Sequence, residues 1–305
     1  MSGELVQNNT AQLFRSVRAA RAWLRAGGAL PDTPTPSGCV VMKPGNDDPP
    51  VFMIPGAPGS ILQLGPIAAT MSVPMPVYAI KPRGLAEGET PCERLDEMAE
   101  YAIRVMRSVR RQGPYLLVGY SAGGLVALEM ARQLSAVGLD VPLVVLLDSY
   151  PCRELWPLST HLDILGRQAA KALWSLRRCT LRQAASEVTR RVRSLFWYLA
   201  ASGVKVVAPR PLVAEGTDAA SRRVHVATFN AGEAYRPSPY TGKVVFMQPE
   251  EVPGLEPRTP QEVWGKYLSD LVIRRVPGSH LRMLEEGAAG TAAEISQCLA
   301  AARSW

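Results

Sequence analysis

Residues 115–128 read Tyr-Leu-Leu-Val-Gly-Tyr-Ser-Ala-Gly-Gly-Leu-Val-Ala-Leu, and this stretch decides the fold. Its first four residues are apolar and predict a buried strand, and the residues from Ala122 onward predict a helix. Between the two, Gly119, Ser121 and Gly123 form the pattern Gly-x-Ser-x-Gly. A serine hydroxyl is a weak nucleophile unless a tight turn holds it exposed beside a base, and glycines permit the close backbone approach of such a turn. Ser121 is therefore a candidate nucleophile.

The Gly-x-Ser-x-Gly pattern alone has low specificity, because a structural turn rich in Gly and Ser also matches it. Here a strand precedes the pattern and a helix follows it, which is the context that a nucleophilic turn requires. The start of the helix also offers unpaired N–H groups and a positive dipole end, which stabilise a developing oxyanion. We therefore favour a catalytic role for Ser121 over a structural turn.

The same alternation of strand and helix extends through most of the chain after Gly38. Apolar runs predict five further strands, at Val51–Ile54, Val77–Ile80, Leu143–Leu147, Lys243–Met247 and Leu271–Val276. Amphipathic stretches predict helices at Ile61–Met71, Glu93–Arg111, Ala122–Val137, Gln261–Asp270 and Thr291–Ala302. Strands that alternate with helices of this length favour an α/β fold with a mostly parallel sheet and helices on both faces.

A nucleophilic serine needs a base, and the sequence has three histidines. His280 follows the predicted strand Leu271–Val276 through a Pro-Gly-Ser turn, which places it at the same edge of the sheet as Ser121. His161 lies in a basic segment with no strand before it, and His225 lies in a predicted helix. His280 is therefore the predicted base.

The acid that orients this base has three candidates in the sequence. Asp148 ends the apolar run of the strand that follows the helix after Ser121. Glu250 and Glu251 follow the later strand Lys243–Met247. An acid at either place would hold the imidazole in the tautomer that accepts the serine proton, although an Asp after a strand is also common in turns and helix caps. The residues alone leave this choice open.

Composition excludes several classes of protein. The chain has 305 residues, of which 47% are hydrophobic and 20% are charged, which excludes a disordered chain. No apolar run approaches the roughly 18–20 residues that span a bilayer, and the first ten residues are too polar for a signal peptide. The five cysteines are scattered without a Cys-x-x-Cys pair, which predicts neither a disulfide framework nor a zinc site. We expect a cytoplasmic protein that does not bind membranes.

The net charge of +7 comes from one segment. Residues 151–210 hold eleven basic and three acidic residues, so the rest of the chain is nearly neutral. The alternation of strands and helices also breaks at about 151–240, which predicts a helical insertion that covers the sheet as a lid. Its arginines either steer an acidic partner or form a solvated helical face. Nucleic-acid binding is not expected, because no basic stripe with interleaved stacking aromatics occurs.

Residues 1–37 are predicted to be separate from the main domain, which takes up 38–305. Ala11–Arg25 carries apolar residues at helical spacing with arginines between them, which predicts a basic amphipathic helix. The glycines and prolines that follow predict a stiff linker. This helix is expected to dock on the domain, with a homodimer contact, another partner contact and a transit peptide as the alternatives.

Several of these residues carry a resemblance to a known family. Gly119-Tyr-Ser-Ala-Gly-Gly, then Asp148 27 residues after Ser121, then Gly278-Ser-His280, are similar to the thioesterase domains of polyketide and nonribosomal peptide synthetases. These domains belong to the α/β-hydrolase superfamily, and the resemblance covers roughly residues 38–303. In this family the acid follows the strand after the nucleophile helix, which matches Asp148 rather than Glu250 or Glu251.

The resemblance implies roles for further residues. The stretch Met53–Gly59 resembles the family's first strand and glycine-containing loop, so the backbone N–H groups of Ala57 and Ala122 are expected to form the oxyanion hole. Trp264 before the last strand also follows the family's arrangement. No metal or cofactor is expected, because Ser121, Asp148 and His280 supply the chemistry.

The implied function is chain release. The family cleaves the thioester that links a polyketide or peptide chain to the phosphopantetheine of an acyl or peptidyl carrier protein, by hydrolysis or cyclisation through an acyl-serine. Such carriers are typically acidic, so the basic lid is an expected docking site. The sequence starts at Met1 without a carrier domain, so a free-standing protein is expected and an editing thioesterase is an alternative. A carboxylester hydrolase or lipase would use the same residues.

Overall fold

The computed structural model describes residues 38–57, 59–176, 217–252 and 255–302, with the backbone alone described for 172–176. The predicted N-terminal helix, its linker and its proposed homodimer contact therefore lie outside the described residues. Much of the predicted lid, at 177–216, also lies outside them.

One sheet forms the centre of the described structure. Its seven strands are β1 (Cys39–Lys43), β2 (Val51–Ile54), β3 (Val77–Ile80), β4 (Leu116–Tyr120), β5 (Leu143–Leu147), β6 (Tyr240–Pro249) and β7 (Leu268–Val276). Their order across the sheet is β1-β3-β2-β4-β5-β6-β7. Only the edge pair of β1 and β3 is antiparallel. The mostly parallel sheet predicted from the sequence is thus confirmed.

Helices cover both faces of this sheet. They are α1 (Gly65–Thr70), α2 (Leu95–Val109), α3 (Ala122–Ala136), α4 (Leu158–Leu176), α5 (Ala219–Ala234), α6 (Pro260–Trp264) and α7 (Ala288–Ala301), with 3-10 turns at Ile61–Leu64, Arg153–Leu155 and Arg282–Leu284. One hydrophobic core packs α2 and α3 on the first face, and a second core packs α1 and α7 on the other. Every residue of β4 and β5 is buried, because strands covered on both sides have no wet face.

The register of the sheet brings three strand ends to one edge. Ile54 of β2 pairs with Gly119 of β4, and Tyr120 of β4 pairs with Leu147 of β5. All three strands are parallel, so the loops that follow them leave the sheet side by side. These loops carry Ala57, Ser121 and Asp148.

Some elements differ from the sequence prediction. The sequence did not predict β1, a five-residue edge strand whose pairing partner β3 lies more than thirty residues away. The predicted helix Gln261–Asp270 ends at Trp264, because residues from Leu268 onward extend β7 alongside β6. The predicted helix Ile61–Met71 is a 3-10 turn followed by α1, which begins with Gly65 and Pro66.

The described parts of the predicted lid are helical. Helix α4 follows β5. Helix α5 precedes β6, contacts α2 and α3, and buries Val224, Thr228 and Ala231. Leu158 and Leu162 at the start of α4 are exposed. In the portion of the chain that the structure describes, no helix has the length and hydropathy of a membrane span.

Candidate active site

Ser121 occupies the turn between β4 and α3 in a backbone conformation that L-residues rarely adopt. Its φ and ψ are 54° and −125°. Its amide N–H donates to the carbonyl of Leu147 at the end of β5, at 3.0 Å, and its own carbonyl accepts from Gly124, also at 3.0 Å. A side chain on such a turn projects away from both strand and helix, and Ser121 stays half-buried rather than enclosed.

Glycines make the tight turn sterically feasible. A Cβ on Gly123 would lie 2.3 Å from the carbonyl oxygen of Pro55, and one on Gly119 would lie 2.4 Å from the carbonyl oxygen of Gly123. A Cβ on Gly124 would meet the Ser149 hydroxyl at 2.0 Å. Two of these clashes are with backbone, which a side-chain rotation cannot relieve. The pattern of glycines around Ser121 therefore follows from the approach of α3 to the loops after β2 and β5.

Asp148 lies at the end of β5, where its side chain is 3% exposed. Its φ is 45°, and its backbone N–H donates to the carbonyl of Met247 in β6 at 3.0 Å. The next residue, Ser149, is fully buried, and the indole N–H of Trp264 donates to its carbonyl at 2.9 Å. Burial and these backbone bonds fix the carboxylate at the edge of the sheet.

The structure joins Asp148 directly to His280. Nδ1 of His280 lies 2.7 Å from Oδ2 of Asp148, within hydrogen-bond distance. His280 follows β7 through Gly278, whose φ of 87° suits glycine and whose carbonyl accepts from the Glu251 amide at 2.9 Å. The His280 side chain is 34% exposed, so the histidine lies between a buried acid and solvent.

Tyr120 is a residue of the site that the sequence analysis missed. Its hydroxyl donates to the His280 carbonyl at 2.9 Å, and its ring stacks on the imidazole with the ring centres 4.9 Å apart. Burial first, and then the nearby charges of Asp148 and Glu285, raise the pKa of Tyr120 well above its usual value, so it stays a neutral donor. Its place directly before Ser121 was the available signal. Through these two contacts Tyr120 holds the His280 loop against the end of β4.

The alternative acids and bases lie elsewhere. The Glu251 carboxylate accepts from the Arg282 guanidinium at 3.1 Å, and Glu250 is exposed. His161 lies near the Trp156 ring, with the ring centres 6.1 Å apart, and His225 is half-buried on α5. Burial lowers the pKa of both histidines. The hydrogen bond of His280 goes to Asp148.

The loop after β2 packs against the serine turn. A Cβ on Gly56 would lie 3.3 Å from Cβ of Ser121 and 3.1 Å from the ring of Tyr120. The Gly59 amide donates to the Gly56 carbonyl at 2.8 Å, which closes a turn around Ala57. Ala57 and Ala122, the first residue of α3, thus come from two loops that meet at Ser121.

Comparison with known proteins adds the family. The family model described as thioesterase domain matches residues 49–299. The chain belongs to the thioesterase domain family. The match includes β2 to β7 and every residue of the site described above.

Curated relatives resemble this chain over about a third of its length or less. A dimodular nonribosomal peptide synthase of Bacillus subtilis (strain 168) is 36% identical over 110 residues, which is 36% of this chain and 5% of that protein. The polyketide synthase PksR of the same organism is 42% identical over 74 residues, or 24% of this chain and 3% of that protein. The chain thus spans only a small fraction of the length of these curated relatives.

Similarity to solved thioesterase structures confirms the predicted α/β-hydrolase fold of this chain. The NocB thioesterase domain from the nocardicin cluster is 21% identical with a TM-score of 0.59, covering 87% of this chain and 100% of that one. The type II thioesterase YbtT from the yersiniabactin pathway is 17% identical with a TM-score of 0.57, covering 88% of this chain and 100% of that one.

Among the residues described for this chain, no cluster of three or more His, Cys, Asp or Glu side chains forms a metal site.

Proposed function

We propose that the protein releases a polyketide or peptide chain from the phosphopantetheine arm of an acyl or peptidyl carrier protein, through an acyl-enzyme on Ser121. The observation that carries the proposal is the 2.7 Å hydrogen bond between His280 and buried Asp148, at the sheet edge where Ser121 forms its strained turn. Membership of the thioesterase domain family and the relation to peptide and polyketide synthases support the substrate class.

The first half-reaction forms the acyl-serine. Nε2 of His280 accepts the Ser121 proton as Oγ attacks the thioester carbonyl, while Nδ1–H keeps its hydrogen bond to Asp148. The backbone N–H groups of Ala57 and Ala122 then hydrogen-bond the oxyanion. When the tetrahedral intermediate collapses, the C–S bond breaks and the sulfur leaves with the proton from Nε2. Removing one oxyanion donor in such chemistry costs about 2.7–4 kcal/mol of transition-state stabilisation, so the geometry of the turn around Ala57 contributes directly to the rate.

The second half-reaction reuses the same groups. His280 takes a proton from water, whose oxygen attacks the acyl-serine, and returns that proton to Ser121 Oγ as the C–O bond breaks. A hydroxyl or amine of the same chain in place of water gives a ring. Both half-reactions are complete with the side chains and amides of this chain, without a cofactor.

Two alternatives use the same residues. An oxygen-ester hydrolase would differ only in its leaving group. An editing thioesterase would act on short or stalled acyl groups rather than on the finished chain. His280 pairs with Asp148, the acid position implied by the resemblance to the synthetase thioesterase domains, and this supports chain release.

A Ser121→Ala variant tests the mechanism. The wild-type protein should hydrolyse acyl-pantetheine thioesters and become labelled once by a fluorophosphonate, whereas Ser121→Ala should do neither and should unfold at the same temperature. Labelling of Ser121→Ala to the wild-type extent would refute the nucleophile. A wild-type preference for p-nitrophenyl esters over thioesters would favour the ester hydrolase. Mass spectrometry of products from carrier-bound chains would separate release of full-length chains from editing of short acyl groups.

A further inference from the structure

A cavity lies beside the active site, on the far side of the Gly56 turn from Ser121. The space between its walls amounts to about 500 Å³, part of which is open solvent. The ends of β2 and β3 form one side of it, and α2, α3 and α5 form the others. Most of its lining side chains are apolar, including Ile54, Ile80, Met98, Val126 and Val224.

Gly56 belongs to both the cavity and the active site. Its backbone lines the cavity, and its Cα faces Tyr120 and Ser121, where an added Cβ would lie 3.3 Å from the Ser121 Cβ. Gly59 then packs on the outer wall, since its added Cβ would lie 2.7 Å from Pro82 and 3.1 Å from Val224. The cavity is thus separated from the nucleophile by a single turn of backbone.

The sheet order places the cavity opposite the base. Strand β4 carries Ser121, and the strands on one side of it, β5 to β7, lead to Asp148 and His280. The strands on its other side, β2 and β3, lead into the cavity. His280 must protonate the departing sulfur, so the leaving arm lies on the His280 side. The acyl group, bound to the same carbonyl carbon, then points towards the cavity.

Two hydroxyl groups interrupt the apolar wall. Thr228 on α5 is 8% exposed, and Tyr101 on α2 is partly buried. Within the described part of the chain, neither hydroxyl has a hydrogen-bond partner. The charged side chains that line the cavity, Lys81 and Arg83, are exposed residues. An apolar pocket with a few uncharged hydrogen-bonding groups fits an uncharged chain that carries oxygen or amide functions.

We infer that this cavity is the acyl-chain pocket of the enzyme, and that Thr228 hydrogen-bonds an oxygen or nitrogen of the chain. The inference rests on the proposed function, since it assigns the acyl half of the thioester to the β2–β3 side of Ser121. It makes α5, the last helix before β6, a determinant of substrate choice.

Filling the pocket tests the assignment. Wild-type protein should hydrolyse octanoyl-pantetheine with a kcat/KM at least about tenfold above that for acetyl-pantetheine, because buried methylenes contribute to transition-state binding. Thr228→Phe should remove that preference, lowering kcat/KM for octanoyl-pantetheine at least about tenfold while leaving acetyl-pantetheine within about threefold. Asn230→Phe, on the exposed face of the same helix, is the matched control and should keep the wild-type preference.

The outcomes separate the pocket from the reaction. A wild-type protein that hydrolyses neither thioester contradicts the proposed function and the pocket with it. If the wild type hydrolyses both thioesters, and a folded Thr228→Phe variant changes neither rate or lowers both rates equally, the pocket assignment alone is overturned. Thermal unfolding checks that Thr228→Phe is folded.

Thr228→Val tests the hydroxyl with little change of volume. For hydroxyoctanoyl-pantetheine isomers, the kcat/KM relative to octanoyl-pantetheine should fall about 3- to 10-fold for at least one isomer, as expected for one lost hydrogen bond. A ratio unchanged for every isomer would refute the role of Thr228. Thr228→Val also tests the inference if Thr228→Phe does not fold. If the wild type discriminates among the isomers and Thr228→Val discriminates among them equally, the inference is contradicted.

Discussion

Ser121 and Asp148 share an unusual backbone state, with φ values of 54° and 45° at the ends of adjacent strands. Such conformations cost about 1–3 kcal/mol each and persist only where their surroundings hold them. Here each amide is held by the next strand: Ser121 donates to Leu147 of β5, and Asp148 donates to Met247 of β6. The sheet that forms the core thus also sets the direction of the proposed nucleophile and of the proposed acid.

The Asp148–His280 pair leads to a prediction about the acid. Asp148→Asn keeps the size of the side chain but favours the wrong imidazole tautomer, so kcat should fall by about 10⁴-fold, as such a change does in enzymes with a Ser-His-Asp triad. Steady-state hydrolysis of acyl-pantetheine by a variant with unchanged unfolding temperature measures this.

Glu250→Gln is the matched control for Asp148→Asn. It makes the same chemical change at an exposed acid near the end of β6, and kcat should stay within about threefold of the wild type. A large loss in Glu250→Gln with a small loss in Asp148→Asn would move the orienting acid to the later strand.

At the level of single residues, the sequence pointed to the candidate site residues whose neighbours along the chain form a recognisable pattern. Ser121 is flanked by glycines, Asp148 ends an apolar run, and His280 follows a Pro-Gly turn. Tyr120 was missed because its contacts depend on the meeting of β4 with the loop after β7, 160 residues away. An aromatic residue in a buried strand otherwise has the pattern of any core residue.

At the level of elements, one buried carboxylate links α3 to the end of α5. Glu129, 4% exposed, accepts from Arg132, from Gln133 at 3.0 Å and from the Tyr235 hydroxyl at 3.0 Å. Burial raises the pKa of Glu129, but these hydrogen bonds outweigh it, so the pKa lies below its usual value. Because α5 lines the proposed acyl pocket, this link also positions the pocket wall.

The lowered pKa of Glu129 predicts a pH-dependent stability. A carboxyl group with a depressed folded-state pKa stabilises the fold above its unfolded pKa of about 4.3 and loses that contribution as the pH falls through the folded value. Glu129→Gln should therefore lower the free energy of unfolding by about 1–3 kcal/mol at pH 7, and the gap from wild type should narrow towards pH 3. Urea unfolding across this range measures the gap.

Glu100→Gln is the control for this measurement, since Glu100 is exposed on α2. It should change the free energy of unfolding by less than about 0.5 kcal/mol at every pH. A gap between wild type and Glu129→Gln that stays constant from pH 7 to pH 3 would show that the ionised carboxylate is not the stabilising species.

The elements that the sequence indicated are those with local signals. Strand β5 and the starts of α3 and β4 show in their own apolar runs and glycines. Strand β1 and the first residues of β7 were missed because their structure comes from pairing with distant strands: Cys39 with Ile80, and Leu268 with Tyr240. The free energy gained by pairing with a distant strand cannot be read from the pattern of a few consecutive residues.

At the level of the whole molecule, the strand order places the proposed catalytic groups and the proposed acyl pocket on opposite sides of Ser121. The proposed acid and base follow β5 and β7 on one side of Ser121, and the cavity opens at β2 and β3 on the other. The sequence predicted the first side through Asp148 and His280. It could not predict the cavity, because the contact between α2 and α5 joins segments more than 100 residues apart.

Charge is also unevenly distributed over the molecule. The chain has a net charge of +7, and residues 151–210 contain eleven of its 34 basic residues with three acidic ones. Three of these basic residues, Arg190, Arg191 and Arg193, lie close together in the sequence and outside the described residues. A concentrated positive segment raises the encounter rate with an acidic carrier surface, and it leaves a neutral pantetheine substrate unaffected.

Reversal of these three arginines to glutamate should therefore lower kcat/KM for carrier-bound acyl substrate by at least about tenfold at low salt, with acyl-pantetheine hydrolysis unchanged. The loss should shrink as salt rises, because the screening length falls from about 10 Å at 0.1 M to about 3 Å at 1 M. Reversal of the exposed Arg107, Arg274 and Arg275 makes the same change of charge on the body and should have a smaller effect. Equal losses from both triple variants would show that net charge, rather than docking on the insertion, controls the encounter.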